Sequence, residues 1–110
     1  MTPNEYQALA MRTASPTRNP NDAVVTAALG LTGESGEFAD RVKKWFAQGH
    51  EFDRDGLIKE LGDVQWYIAL AADSLGTTIE AVMERNILKL RERYPNGFEP
   101  GLSVNRPEES

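Results

Sequence analysis

Cysteine is absent from the 110-residue sequence, which excludes disulfide bonds, thiolate metal ligands and thiol nucleophiles. Long hydrophobic runs are also lacking. The longest, from Trp66 to Ala72, is far shorter than the roughly 20 residues that span a bilayer. The N-terminal residues lack a basic region followed by an apolar one, so they predict no secretion signal. We therefore expect a soluble cytoplasmic protein without a membrane partner.

Positive charge is scarce, with 12 lysines and arginines against 17 aspartates and glutamates, which gives a net charge of −5. Nucleic acids and anionic membranes bind basic surfaces, so we expect neither of them as a partner. An anionic substrate such as a nucleotide would need a metal ion or a local basic patch to bind here. Strand-like alternation and internal repeats are missing too, and this length predicts one domain.

Hydrophobic spacing and capping residues predict four helices. The prolines and asparagines of residues 15–21 predict a loop after the first helix, and Gln48-Gly49-His50 predicts a break after the second. Thr77 and Glu80 have the spacing of a capping box at the start of the fourth. The first predicted helix follows a cap at Thr2 and covers residues 3–14. The second runs from a cap at Asn21-Asp22 to about Phe46, the third from a cap at Asp53 to about Leu75, and the fourth from Thr77 to about Arg93. The predicted apolar stripe of the second helix is Val24, Ala28, Leu31, Phe38, Val42 and Phe46, and that of the third is Leu57, Leu61, Val64, Ile68, Ala72 and Leu75.

The predicted fold is all-α: a four-helix bundle with a central antiparallel helix pair, completed by oligomerisation. The third helix is apolar around nearly its whole circumference, and a monomer of this size cannot bury all of that surface. The helical domain is predicted to span residues 1–98. Residues 99–110, with two prolines and few apolar side chains, are predicted to be a mobile tail.

Two pairs of carboxylates stand out in the central helices. Glu34 and Glu37 are three residues apart, as are Glu60 and Asp63, and this spacing places each pair on one flank of its helix. The short connector predicts an antiparallel hairpin, in which all four acids converge within about two helical turns. Four such acids repel one another without a cation. Because every ligand is an oxygen, the predicted ion is Mg²⁺, with Mn²⁺ as the alternative.

A solvated acidic face is the other interpretation of these pairs. It is disfavoured because the acidic flank of the third helix continues into Tyr67 and Leu70, so that we expect it to be covered. Buried acids need a partner, and the nearby bases Arg41 and Lys59 are too few to neutralise four carboxylates.

At these residues the chain resembles the MazG-type, all-α nucleoside triphosphate pyrophosphohydrolases. That family carries EExxE, a spacer and ExxD. This sequence has Gly33-Glu34-Ser35-Gly36-Glu37, 22 intervening residues and Glu60-Leu61-Gly62-Asp63. The resemblance covers residues 5–98 and includes Tyr67, Asn86, Lys89 and Arg93-Tyr94-Pro95. Gly33 is a departure, because the family pattern has its first glutamate there.

The resemblance implies hydrolysis between the α and β phosphates of a nucleoside triphosphate, which yields the nucleoside monophosphate and inorganic diphosphate. It also implies a role in house-cleaning of the nucleotide pool. Glu34, Glu37, Glu60 and Asp63 carry over as implied Mg²⁺ ligands. Either Glu34 or Glu37 is a candidate to orient or deprotonate the attacking water. A homodimer or homotetramer with sites near the subunit contacts is implied as well.

The fourth helix supplies candidate phosphate-binding residues. Asn86 lies within its apolar stripe, where an amide needs a hydrogen-bond partner, and Lys89 and Arg93 follow on the edge of the same face. Tyr67, four residues after Asp63, is a further substrate-binding candidate. The alternative is that Asn86 bonds a neighbouring backbone group and that both cations are solvated.

Two further features leave alternatives open. Aromatic residues such as Trp66 are candidates to stack on a base, with core packing as the alternative. The second helix contains three glycines, Gly30, Gly33 and Gly36, and each makes the helix less stable than an alanine would. Their presence indicates close approach of another helix, room for substrate or a local irregularity of the helix. A non-catalytic nucleotide- or metal-binding protein and a purely structural bundle remain the competing functions.

Overall fold

The computed structural model describes residues 1–107, and its regular elements there are α-helices, with no strand. The helices are α1 (Pro3–Met11), α2 (Pro20–Gln48), α3 (Arg54–Ser74), α4 (Ile79–Arg93) and α5 (Pro100–Val104). The prediction of an all-α fold is confirmed. Within the described part of the chain, none of these helices has both the length and the apolar character that crossing a membrane requires.

The chain forms two compact units, Met1–Ile79 and Glu80–Ser110. The first unit contains α1, α2, α3 and Ile79, which is the first residue of α4. The second unit contains α5 and the remainder of α4. The four-helix bundle and the domain spanning residues 1–98 stay predictions. The short helix α5 lies in the segment predicted to be a mobile tail, and residues 108–110 of that tail lie outside the described residues.

Two of the predicted helix caps are confirmed. Thr2 accepts a hydrogen bond from the backbone N–H of Glu5 at the start of α1, and Asp53 accepts one from Gly56 at the start of α3. The predicted cap of α2 at Asn21-Asp22 is wrong. Asn19 is the cap, and Pro20 is the first helical residue, because a proline at this position loses no hydrogen bond and already has a helical φ.

The start of α4 is capped by a residue far away in the sequence. The side-chain oxygen of Gln7 accepts a hydrogen bond of 2.7 Å from the backbone N–H of Ile79. The side-chain nitrogen of Gln7 donates one of 3.1 Å to the carbonyl of Thr77. Gln7 is buried, so these two bonds satisfy an amide that would otherwise be costly to bury.

The predicted antiparallel arrangement of α2 and α3 is confirmed. Arg41 near the end of α2 bonds Glu60 near the start of α3, whereas Ala27 near the start of α2 packs with Leu70 near the end of α3. Gly49, with a φ of 75° in the left-handed region, ends α2 and lets the connector turn back. The hairpin therefore places the acidic pairs of α2 and α3 on facing helices.

The packed faces of α2 and α3 match the predicted apolar stripes only in part. Ala72 is buried and Ile68 packs against the core, whereas Phe46 and Leu61 are 81% and 54% exposed. The two helices meet instead through small residues and through the acidic flank itself. The physical reason is close approach: the Tyr67 ring lies against Gly30, where a side chain would clash with it.

The core of the first unit is thin. Only seven apolar residues are buried in the described part of the chain, and five of these are alanines. The buried set is Ala10, Ala23, Ala27, Ala69, Leu70, Ala72 and Ile79. Since alanine buries little apolar area, this core contributes a modest hydrophobic free energy, while larger apolar side chains stay at the surface of the single chain.

Candidate functional site

Three of the four predicted carboxylates form a cluster, which we call the carboxylate cluster: Glu34, Glu60 and Asp63. One oxygen from each lies within 4.8 Å of the other two. Glu34 comes from α2, and the other two come from successive turns of α3, so the antiparallel hairpin brings them together. Glu60 is buried, and the other two carboxylates of the cluster, Glu34 and Asp63, are partly buried. Convergence of the two acidic pairs thus holds for these three residues.

Glu37, the fourth predicted carboxylate, lies outside the cluster. Three residues along a helix rotate a side chain by about 300°, so Glu37 is turned about 60° away from Glu34, and it is exposed. Its charge is still close enough to contribute to the raised pKa of Glu34. Among residues 1–107, its carboxylate forms no hydrogen bond or ion pair, so it is available to a ligand.

The carboxylate cluster fits a small, hard divalent cation. Mg²⁺ takes oxygen ligands at about 2.1 Å in an octahedron, which places neighbouring ligand oxygens about 3 Å apart and opposite ones about 4.2 Å apart. Oxygens within 4.8 Å reach these separations by small side-chain rotations. Histidine and cysteine, which zinc prefers, are not part of the cluster.

Arg41 is a site residue that sequence reasoning recognised only as a nearby base. Its Nε donates a hydrogen bond of 2.9 Å to Oε1 of Glu60, and its Nη1 donates one of 3.1 Å to Asp53. The signal was present in the sequence, because Arg41 follows Glu34 by seven residues and therefore lies on the same face of α2.

A pocket of about 260 Å³ opens beside the cluster, and it is lined by Glu34, Asp63, Trp66 and Tyr67. The rings of Trp66 and Tyr67 meet edge to face, with centroids 5.0 Å apart. The indole N–H of Trp66 donates a 2.8 Å hydrogen bond to the hydroxyl of Thr13. Of the predicted substrate-binding residues, Tyr67 thus lines the pocket beside the cluster.

Trp66 also lies in the wall of a second pocket, of about 310 Å³, at the start of α2. The small apolar residues Ala14 and Ala23 form part of this wall, and Asp22 and Thr26 are among its polar lining residues. Both polar residues are exposed. The indole of Trp66 therefore lines both an acidic pocket and a mainly apolar one.

The other predicted substrate-binding residues lie on α4, in the second unit. Asn86 and Lys89 are exposed, so the amide of Asn86 needs no partner within its own chain. Arg93 is partly buried, and its Nε and Nη2 have no hydrogen-bond partner among the residues that the structure describes. A role for these three residues in phosphate binding stays a prediction.

The electrostatics of the carboxylate cluster give a stability prediction. Burial, followed by the charges of Asp63 and Glu60, raises the pKa of Glu34 in the folded protein above its ordinary value of 4.5. The protonated form is thus favoured in the folded state, and this contribution is fully present below pH 4.5. It is lost as the pH rises through the raised pKa, because ionised Glu34 then faces two like charges.

We therefore expect the metal-free protein to lose thermal stability as the pH rises from 4.5 to neutrality, and Mg²⁺ to restore it. Thermal unfolding followed by circular dichroism, with EDTA or with Mg²⁺, measures both effects. Glu34→Gln is the control, because it removes the titrating group and should flatten the pH dependence. An equal pH dependence in both proteins would contradict the prediction.

Comparison with known proteins points to one family. A model of the MazG nucleotide pyrophosphohydrolase domain matches residues 23–98, which include the whole carboxylate cluster. The gene 37 protein of Mycobacterium phage L5 is 40% identical over 82 residues, which amount to 71% of this chain and 72% of that protein. Its name states no activity. No solved structure matches the chain at a significant level.

Proposed function

Because the chain belongs to the MazG nucleotide pyrophosphohydrolase family, we propose that it is a Mg²⁺-dependent hydrolase of nucleoside triphosphates. The reaction adds water to the α-phosphorus and breaks the bond between the α-phosphorus and the oxygen that bridges it to the β-phosphate. The products are the nucleoside monophosphate and inorganic diphosphate. The observation that carries this proposal is the carboxylate cluster, whose three acids lie within 4.8 Å of one another at the wall of a pocket.

The residues of the site divide into ligands and a base. In the proposal, Glu34, Glu60 and Asp63 hold the ion, and Mg²⁺ when bound neutralises charge on the phosphate oxygens. Glu37 is exposed, outside the cluster and free of hydrogen bonds within residues 1–107. It is therefore the better candidate to orient the attacking water and to accept its proton on a carboxylate oxygen.

The pocket volumes support a division of the substrate between two places. The acidic pocket of about 260 Å³ suits the phosphates, which approach carboxylates only through a cation. The mainly apolar pocket of about 310 Å³, which Trp66 also lines, suits a nucleoside. In the proposal, the base packs against Trp66, and Asp22 and Thr26, which line the same pocket, offer it hydrogen-bonding groups.

The experiment that tests the function is diphosphate release from a panel of ribo- and deoxyribonucleoside triphosphates with Mg²⁺, with EDTA as the control. Equal amounts of nucleoside monophosphate and inorganic diphosphate are expected. Orthophosphate as the only inorganic product would show that cleavage does not occur between the α and β phosphates, and the proposed reaction would be wrong. Nucleotide binding without turnover would select the non-catalytic alternative, and the absence of both metal and nucleotide binding would select a structural bundle.

A homo-oligomer is the second part of the proposal. Six large apolar side chains of α2, α3 and their connector are between 48% and 81% exposed, and so much apolar surface is unusual for a monomer. These residues are Val25, Leu29, Phe46, Phe52, Ile58 and Leu61. The thin alanine-rich core agrees with a chain that completes its core with a second copy.

Light scattering at micromolar protein concentration is expected to give twice or four times the 12.2 kDa of one chain, corresponding to a dimer or a tetramer. Added salt should not dissociate the assembly, because burial of apolar surface does not weaken with ionic strength as ion pairs do. A mass of one chain at all concentrations tested would contradict the oligomer.

A further inference from the structure

Behind the carboxylate cluster, Glu60 is linked to the start of α3 through a chain of three hydrogen bonds. The backbone N–H of Gly56 donates to Oδ1 of Asp53 at 2.9 Å. Oδ2 of the same carboxylate accepts from Nη1 of Arg41 at 3.1 Å. Nε of Arg41 in turn donates to Oε1 of Glu60 at 2.9 Å. One guanidinium thus joins the cap of α3 to a carboxylate of the cluster.

The helix start is closely fitted around this guanidinium. Gly56 is buried, and a Cβ atom added there would clash with the side chain of Asp53 and lie 2.7 Å from Nη1 of Arg41. Any larger residue at position 56 would displace one of the two groups. A side chain at position 56 would therefore disturb the contact between Asp53 and Arg41.

Stability alone gives a poor account of this arrangement. The side chains of Arg41 and Asp53 are 36% and 55% exposed, and ion pairs this exposed contribute only about 0–1 kcal/mol. Glu60 differs, because its side chain is only 7% exposed and its carboxylate belongs to the cluster. The main consequence of the bond from Arg41 is to fix how the Glu60 carboxylate is oriented.

We propose that Arg41 is a positioning residue for the metal centre: by binding Oε1 of Glu60, it directs the other oxygen of that carboxylate to the divalent cation. The inference rests on the proposed function, since it takes the carboxylate cluster to be a metal site. An arginine is required because its planar guanidinium reaches Asp53 and Glu60 at once with two N–H groups, which the single ammonium of lysine does not reproduce.

The test measures Mn²⁺ binding to the protein without nucleotide, by electron paramagnetic resonance, in the wild type and four variants. Arg41→Lys keeps the charge and loses the planar fork, and Gly56→Ala keeps every charge but displaces the fork. Both are expected to lower the Mn²⁺ affinity by about 10–100-fold, the usual effect of removing a group that orients a metal ligand. Lys44→Gln, which removes a base that pairs with Asp40 on the outside of α2, should bind as the wild type does.

The outcomes separate the two proposals. If wild-type protein binds no Mn²⁺, the metal centre itself is rejected. If the wild type binds and Arg41→Lys binds within about twofold of it, only the positioning role is rejected. Tighter binding by Arg41→Gln would also reject it, because that result would show that the arginine acts only as a competing positive charge. Circular dichroism of each variant confirms that it is folded before the affinity is compared.

Discussion

Replacing Glu60 by glutamine is expected to abolish turnover while leaving the fold intact. Glutamine has nearly the same shape as glutamate and keeps an oxygen that can accept the hydrogen bond from Arg41. In the wild type this bond to Glu60 is 2.9 Å long. Glutamine loses the negative charge that a hard cation requires. Since outer-shell partners alone are typically worth about 10–100-fold, loss of a ligand should lower kcat by more than about a hundredfold.

Metal-dependent stabilisation gives an independent measurement of the same change. A ligand at 100 times its dissociation constant stabilises the folded state by about 2.7 kcal/mol, so saturating Mg²⁺ should raise the Tm of the wild type. The Tm of Glu60→Gln should not respond to Mg²⁺. In EDTA the two proteins should unfold at similar temperatures, because glutamine loses a charged partner of Arg41 but also relieves repulsion with Glu34 and Asp63.

Glu51→Gln is the matched control for this experiment. It makes the same chemical change at an exposed position in the connector between α2 and α3, so it should retain wild-type turnover and wild-type response to Mg²⁺. If Glu60→Gln keeps more than a tenth of wild-type kcat at saturating Mg²⁺, Glu60 is not an essential ligand, and the proposed site is wrong.

The parts of the fold that were predictable depend on neighbouring residues. Thr2 and Asp53 cap helices through bonds to residues three positions later, and Gly49 ends α2 through its own φ. Such signals are readable from sequence because the partners are close in the chain. The acidic pairs belong to the same class, since once α2 and α3 form an antiparallel hairpin, their level along the helices follows from counting residues.

The parts that failed depend on contacts between distant residues. The cap that Gln7 gives to Ile79 spans 72 residues, and no local pattern announces it. The assignment of the packed helix faces was only partly correct, for a different reason. Hydrophobic spacing selects the most apolar stripe, whereas the two helices meet through small residues such as Ala27. In a chain that we propose to assemble, its most apolar stripes need not face its own core.

Gly30 of α2 lies against the ring of Tyr67 on α3, so the two helices are close at this point. We expect replacement of Gly30 by alanine to have a large effect on stability. A side chain at position 30 would clash with three ring atoms of Tyr67. Overpacking of this kind typically costs about 1–3 kcal/mol, whereas alanine gains about 1 kcal/mol over glycine in a helix. We therefore expect Gly30→Ala to lower the free energy of unfolding by up to about 2 kcal/mol.

Gly33→Ala and Gly36→Ala are controls on the same helix, because an added Cβ atom at either position meets no atom within 4 Å beyond its chain neighbours and the nearby helix backbone. Each should raise the free energy of unfolding by up to about 1 kcal/mol. In thermal unfolding, 1 kcal/mol corresponds to about 4–8 °C for a small domain, so Gly30→Ala and its controls should move Tm in opposite directions. Equal Tm shifts in all three variants would show that the contact with Tyr67 does not constrain position 30.

The Gly30 substitution also reaches the site, because Tyr67 lines the acidic pocket together with Glu34 and Asp63. The ring can avoid the new methyl group only by moving, and such movement would change the pocket that we assign to the phosphates. Gly30→Ala is therefore expected to raise KM for the nucleotide as well as to lower Tm, with Mn²⁺ binding in the absence of nucleotide unchanged. A variant with lowered Tm and an unaltered KM would show that Tyr67 supports the helix contact alone and takes no part in substrate binding.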